Sequence, residues 1–345
     1  MSPEQQEASL NSEGELEPLE RVVKRESVIS LPVDPSREEV VAFKFGGSSL
    51  LGAKRLLHAA QLVQQESSTR PVTVVVSAMK GVTDTLLRIG QLLGEGRKLQ
   101  AREEADTLVA LHRATLEELK LHTVEHERVK RELKLLADDL LHEVTSKKDE
   151  DDNGARLDRL GSFGERYASR LFAAALGKIG VIAVPVTSSE FILTCDTFGV
   201  AKPQMEDTRR RGREILLPLL EARIVPVVTG FIGATKDGRI TTLGRNSSDF
   251  SAALIAHVVD AAELVIWTDV DGVYTVNPNE SAEAMLLHEL SYEEAHALAS
   301  SGAKVLHPHV LPLAAQTKIT VWVRNTFKPQ ARGTRIGPQQ NGEVA

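Results

Sequence analysis

Val40-Val41-Ala42-Phe43-Lys44-Phe45-Gly46-Gly47-Ser48-Ser49 is an apolar run that ends in a lysine, two glycines and two hydroxyl residues. Residues 40–45 read as a buried strand, and the hydroxyl residues open a helix. Glycine lets backbone N–H groups approach an anion that a Cβ would block. Lysine adds a compact positive charge suited to phosphate oxygens. The loop is not of the Walker A type, in which the lysine follows the glycines. Taken alone, the run also describes an ordinary strand–helix turn with a solvated lysine.

Outward from this run the pattern alternates. Residues 50–66 have helical spacing, 71–76 form a β-branched strand, and 83–93 are helical up to the Gly94-Glu95-Gly96 break. Residues 102–144 form a long charged helical stretch, as one helix or two. After an acidic solvated loop at 147–153, residues 155–176 read as a helix. Further strands are expected at 181–186, 224–229, 264–268 and 319–323, with a helix at 251–259. Strand–helix alternation with near-continuous apolar strands predicts an α/β fold with a mostly parallel sheet covered on both faces. The expected organisation is an acidic tail (1–38) closed by Pro32 and Pro35, one domain (39–336) and a polar tail (337–345).

With 345 residues, 42% hydrophobic and 26% charged, the chain can bury a substantial core. The formal net charge of -7, with no basic stripe, argues against general nucleic-acid binding but leaves room for a locally positive pocket. The one cysteine, Cys195, rules out an internal disulfide and fits a reducing compartment. No apolar run approaches the ~20 residues of a membrane span. The N-terminus is polar and acidic, without the apolar segment of a secretory signal. The cytoplasm, with no membrane partner, is the expected location.

Further blocks accompany the glycine run: Ser162-Phe163-Gly164-Glu165-Arg166, Thr241-Thr242-Leu243-Gly244-Arg245-Asn246-Ser247-Ser248-Asp249, and Ile266-Trp267-Thr268-Asp269-Val270-Asp271-Gly272-Val273-Tyr274-Thr275. Gly302-Ala303-Lys304-Val305-Leu306-His307-Pro308 and Arg324-Asn325-Thr326 complete the set. In this order and spacing the chain resembles the aspartate kinases, within the amino-acid kinase family. The resemblance implies a three-layer α/β/α sandwich, with the amino-acid site in the N-terminal half and ATP toward the C-terminal half. It also implies a reaction in which ATP and L-aspartate give ADP and 4-phospho-L-aspartate, at the entry to lysine, threonine, methionine and isoleucine synthesis.

That chemistry needs no general base, because a β-carboxylate with a pKa near ~4 is already ionised at pH 7. It needs cations, Mg²⁺ and backbone donors that hold an anion in line with the γ-phosphate. Lys44 is read as the cation at the γ-phosphate, with the Gly46 and Gly47 amides as donors to the same oxygens and Phe45 beside them. Arg245 suits the substrate α-carboxylate, because a guanidinium grips a carboxylate bidentately, or forms a structural ion pair. Glu165 suits the substrate ammonium, or is a first-turn helix glutamate. Thr83 matches a substrate contact of the family, or caps the helix that follows it. Asn246, Ser247 and Ser248 fall in the substrate block. Asp249 joins Lys44 and Lys304 in the catalytic set, and Ser248 and Asp249 also suit N-capping of the 251–259 helix. Thr268, Asp269 and Tyr274 match the nucleotide site, where Asp269 orients Mg²⁺ or ribose. Lys304, with Val305, is read as the second cation for the ATP phosphates. Mg²⁺ is expected mainly through ATP, with no side-chain metal site. His307 and His309 lack a spaced ligand set and read as structural.

The chain departs from the family pattern at Ser247, which replaces a glycine and adds a Cβ near the substrate, and at Asn279, where the family has an arginine. It ends without the paired regulatory ACT modules of the family, so the usual feedback inhibition is not expected. The competing readings are a kinase for a related carboxylate and a weakly active nucleotide- or aspartate-binding partner subunit. A homo-oligomer and a longer parent polypeptide are also compatible with it.

Overall fold

A computed structural model describes residues 39–146, 153–276, 281, 283–300 and 306–338. The expected tail at 1–38, the acidic residues 147–152, Asn279, Lys304 and Val305 lie outside them. So do residues 339–345 of the expected C-terminal tail.

β1 (Val41–Phe45) is buried at every position, as a central parallel strand must be. A 3₁₀ turn (Gly47–Leu50) follows, and then α1 (Ala53–Ser67). Gly52 separates the two at φ 78, a left-handed value that suits glycine. β2 (Val72–Val76) and α2 (Val82–Gly94) come next. The long charged stretch is two helices, α3 (Lys98–Leu119) and α4 (Thr123–Thr145), parted at Lys120 with φ 50. α5 (Asn153–Lys178) leads into the edge strand β3 (Ala183–Val186).

α6 (Met205–Glu221) escapes the sequence pattern because Thr208 and Gly212 stand where its buried stripe would show apolar residues, and Pro218 lies inside it. β4 (Val225–Thr229), the hairpin β5 (Ile232–Ala234) with β6 (Ile240–Thr242), α7 (Ser248–Val258) and β7 (Glu263–Thr268) follow. The remainder comprises β8 (Val273–Tyr274), β9 (Leu286–Leu287), β10 (Glu289–Ser291), α8 (Tyr292–Ser300) and α9 (Val310–Thr317). β11 (Thr320–Asn325) and β12 (Thr334–Gly337) close the sheet, and β12 reaches one residue past the predicted domain end.

The sheet has eight strands in the order β10-β12-β11-β7-β1-β2-β4-β3. From β11 to β3 every pairing is parallel, while β12 runs antiparallel to β11 and carries β10 with it. Alternation along β1 sorts the layers. Val41, Phe43 and Phe45 join the apolar layer of α1 to α5, and Ala42 joins the layer of α6, α7 and α9. The three-layer α/β/α sandwich follows from that alternation.

The helical layer contains a group that is costly to bury. His112, fully buried on α3, donates its Nδ1–H to the Leu108 carbonyl at 2.8 Å and stacks on Tyr167 at 4.3 Å. Burial pushes its pKa down to about 4. The unfolded chain binds a proton at this residue near pH 6.5 and the folded chain does not. Stability is therefore lost as pH falls from about 6.5 to about 4. Relative to wild type, His112→Leu should gain roughly 2 kcal/mol between pH 7 and pH 5 in urea unfolding.

Candidate active site

The C-terminal ends of β1, β2 and β7 open onto a cavity of about 840 Å³. Parallel α/β sheets place ligands at this edge. Lys44, Gly47, Thr83, Glu165, Arg245, Asn246, Ser248, Asp249, Thr268 and Asp269 all line it. The sequence blocks that carry these residues span more than two hundred residues, and the parallel register brings them to one edge.

Lys44 is 9% exposed, and its Nζ lies 2.7 Å from Asp249 Oδ1. Alternation along β1 turns Lys44 to the α7 face, where Asp249 is the second residue of the helix. The ammonium folds back over the loop: a Cβ on Gly46 would stand 3.6 Å from it. Gly47 is required for a different reason. A Cβ there would meet the Ala78 carbonyl at 2.5 Å and the Lys80 amide at 3.0 Å. The expected donor role of Gly46 is corrected, because its N–H bonds to the Trp267 carbonyl at 3.1 Å. The amides of Gly47 and Ser48, first in the 3₁₀ turn, have no partner within that turn.

Glu165 stands mid-helix on α5, so the helix dipole of a first turn does not explain it. It is 3% exposed, and among the described residues its Oε2 has no hydrogen-bond partner. Burial pushes its pKa up to about 8, against the opposing pull of the Ala78 amide and the Lys44 charge. Gly164 lets α5 come this close, since a Cβ there would lie 2.5 Å from Ala78 Cβ. Two turns earlier on the same helix, buried Asp158 accepts the Gly199 and Thr242 amides and the Thr242 hydroxyl, at 2.7 to 3.0 Å. That carboxylate fixes the end of β6, from which the Arg245 loop departs.

Arg245 and Asp84 form an ion pair at 2.8 Å. The loop around Arg245 takes left-handed values at Gly244 (φ 100) and Asn246 (φ 62). α7 begins three residues earlier than the sequence pattern suggests, so Ser248 and Asp249 belong to its first turn and do not cap it. Ser247 holds the N-cap, is fully buried and is absent from the cavity wall. The Cβ it adds therefore does not narrow the site. Gly81, with φ 87, holds the N-cap of α2, which removes the capping role for Thr83.

Thr268 ends β7, and its hydroxyl lies 3.4 Å from Asp269 Oδ1. Phe45 and Tyr274 do not line the cavity. The Phe45 ring is buried in the core against Phe172 and Trp267, which leaves only its backbone near the site. The wall also contains Ser77 to Gly81, Phe231 and His307, which the sequence reading did not assign to it. His307 stacks on Phe250 at 5.8 Å, and burial first, then His309, lowers its pKa against the pull of Asp249. The missed β2–α2 loop repeats the order of the β1 loop, strand then glycine then helix. Strand adjacency puts the two side by side: the Lys80 amide bonds to the Gly47 carbonyl at 3.1 Å.

The model of the amino acid kinase family matches residues 39–325. The lysine-sensitive aspartokinase 3 of Escherichia coli is 34% identical over 298 residues, which cover 86% of this chain and 64% of that protein. The chloroplastic aspartokinase 3 of Arabidopsis thaliana is 36% identical over 301 residues, covering 85% and 52%. The chain thus spans about half to two thirds of these relatives. The crystal structure of E. coli aspartokinase III in complex with aspartate and ADP superposes with a TM-score of 0.77 at 32% identity, covering 88% of this chain and 66% of that one.

Proposed function

The chain belongs to the amino acid kinase family, and on that premise we propose that it transfers the γ-phosphoryl group of ATP to the β-carboxylate of L-aspartate. A β-carboxylate oxygen attacks the γ-phosphorus while the bond to the bridging oxygen of ADP breaks. The products are 4-phospho-L-aspartate and ADP, and no proton changes hands. The product would feed lysine, threonine and methionine synthesis.

The observation that carries this reading is one cavity that holds the Lys44–Asp249 pair, Glu165 and Arg245 together. Lys44, above the glycine loop, meets charge on the transferring group, and Asp249 fixes its direction. Gly47 and Ser48 offer amides to the same oxygens. Glu165 receives the substrate ammonium, and Arg245 the α-carboxylate. Ser248, in the first turn of α7, adds a polar contact at a helix end that favours anions. Thr268 and Asp269 face the nucleotide, and Mg²⁺ carried by ATP offsets its phosphate charge. By resemblance, Lys304 and Val305 belong to the same nucleotide side. The position of Ser247 off the wall removes the motive for a different carboxylate.

Steady-state ADP release by the purified protein against a panel of carboxylates tests the reading. L-Aspartate should be turned over well above L-glutamate and succinate, with the acyl phosphate trapped by hydroxylamine. Turnover with L-aspartate no greater than the blank would remove it.

A further inference from the structure

The Arg245–Asp84 pair joins two distant parts of the chain at the wall of the cavity. Asp84 sits in the first turn of α2, and Arg245 in the loop between β6 and α7, 161 residues further on. Both side chains line the cavity. They are 72% and 74% exposed, so water and salt weaken their attraction. Among the described residues, neither makes another side-chain hydrogen bond or ion pair.

We propose that Asp84 is an internal stand-in for the substrate α-carboxylate. It holds Arg245 over the empty site and gives it up when substrate enters. Asp84 is thus a positioning residue that sets substrate affinity through Arg245. This inference rests on the functional reading above. The exchange is nearly balanced in charge, one carboxylate on the guanidinium being replaced by another. The released Asp84 keeps two favourable surroundings, water and the N-terminal end of α2. An acceptor without a carboxylate in the right place has nothing to displace Asp84 with, so the pair also discriminates among ligands.

The sign of the effect separates this role from a merely supporting one. A competitor, once removed, improves binding, while a support, once removed, weakens it. Kinetics of Asp84→Asn, Asp84→Ala and Asp84→Glu, each checked for wild-type melting, provide the test. KM for L-aspartate should fall roughly two- to fivefold in the Asn and Ala variants. kcat should stay within about twofold, and Asp84→Glu should remain near wild type. KM for ATP, which does not need Arg245, should not move. A KM for L-aspartate that is unchanged or raised in the Asn and Ala variants overturns the inference, as does an equal fall in KM for ATP. A wild-type protein inert toward L-aspartate overturns the functional reading and this inference together. An active wild type with an unmoved KM overturns the inference alone.

Discussion

Lys44→Met should lower kcat for aspartate phosphorylation on the order of 10³-fold, with KM for both substrates changed far less. Methionine keeps the length and apolar stem of the side chain and removes only the charge. That charge lies over the glycine loop, where the proposed reaction would place the transferring group and its negative charge. An interaction that strengthens in the transition state appears in kcat. The substitution also strands Asp249, because among the described residues no group other than Lys44 meets its Oδ1. The pair is partly exposed, with side chains 11% and 19% accessible, so the loss in stability should be about 1–3 kcal/mol, below that of a fully buried pair. The double variant Lys44→Met, Asp249→Asn separates the two effects. It should recover most of the stability in urea unfolding and none of the kcat. Recovery of kcat in the double variant would mean that Lys44 acts only as a counter-ion.

The parts of this site that local sequence expresses are those whose chemistry depends on residue type and order. Lys44 before two glycines, Arg245 after a turn glycine and Glu165 beside Gly164 are examples, and all three reach the cavity. What the sequence conceals depends on neighbours brought in by the sheet. The Gly46 amide is lost to a ligand only because β7 lies beside β1 and offers the Trp267 carbonyl. Lys80 and the rest of the β2–α2 loop reach the wall because β2 is the other neighbour of β1, a fact of strand order and not of pattern. Ser247 faces the core because α7 starts at Ser248. One helix start, displaced by three residues, decides whether a side chain enters the site or leaves it. The same holds for the fold at large. Strands and helices with clear apolar periodicity are legible, whereas α6 and the short strands from β8 to β10 are too interrupted or too brief to show a period.

Glu165→Gln should raise KM for L-aspartate on the order of 10²-fold and stabilise the ligand-free protein. Both effects have one cause. The Glu165 carboxyl is buried, with one oxygen unpartnered and its pKa pushed up to about 8, so near neutral pH the empty site holds it mostly protonated. In the proposed binding mode the substrate ammonium would select the ionised form and displace the proton. In wild type, KM for L-aspartate should therefore fall by up to about tenfold per pH unit as pH rises toward 8, and then level off. Glutamine carries no ionisable proton, so the variant should lack that slope while binding more weakly throughout. Stability moves the other way. A carboxyl whose folded pKa lies above its unfolded value of 4.5 costs stability as pH rises from about 4.5 to about 8. The variant escapes this cost, and at pH 8 its unfolding free energy should exceed that of wild type by roughly 4 kcal/mol. Saturating L-aspartate, whose ammonium neutralises the carboxylate, should narrow the gap in wild type and leave the variant nearly unmoved. A KM with equal pH dependence in both proteins would show that Glu165 does not meet the ammonium. A stability gain without the KM change would make it a strained structural residue.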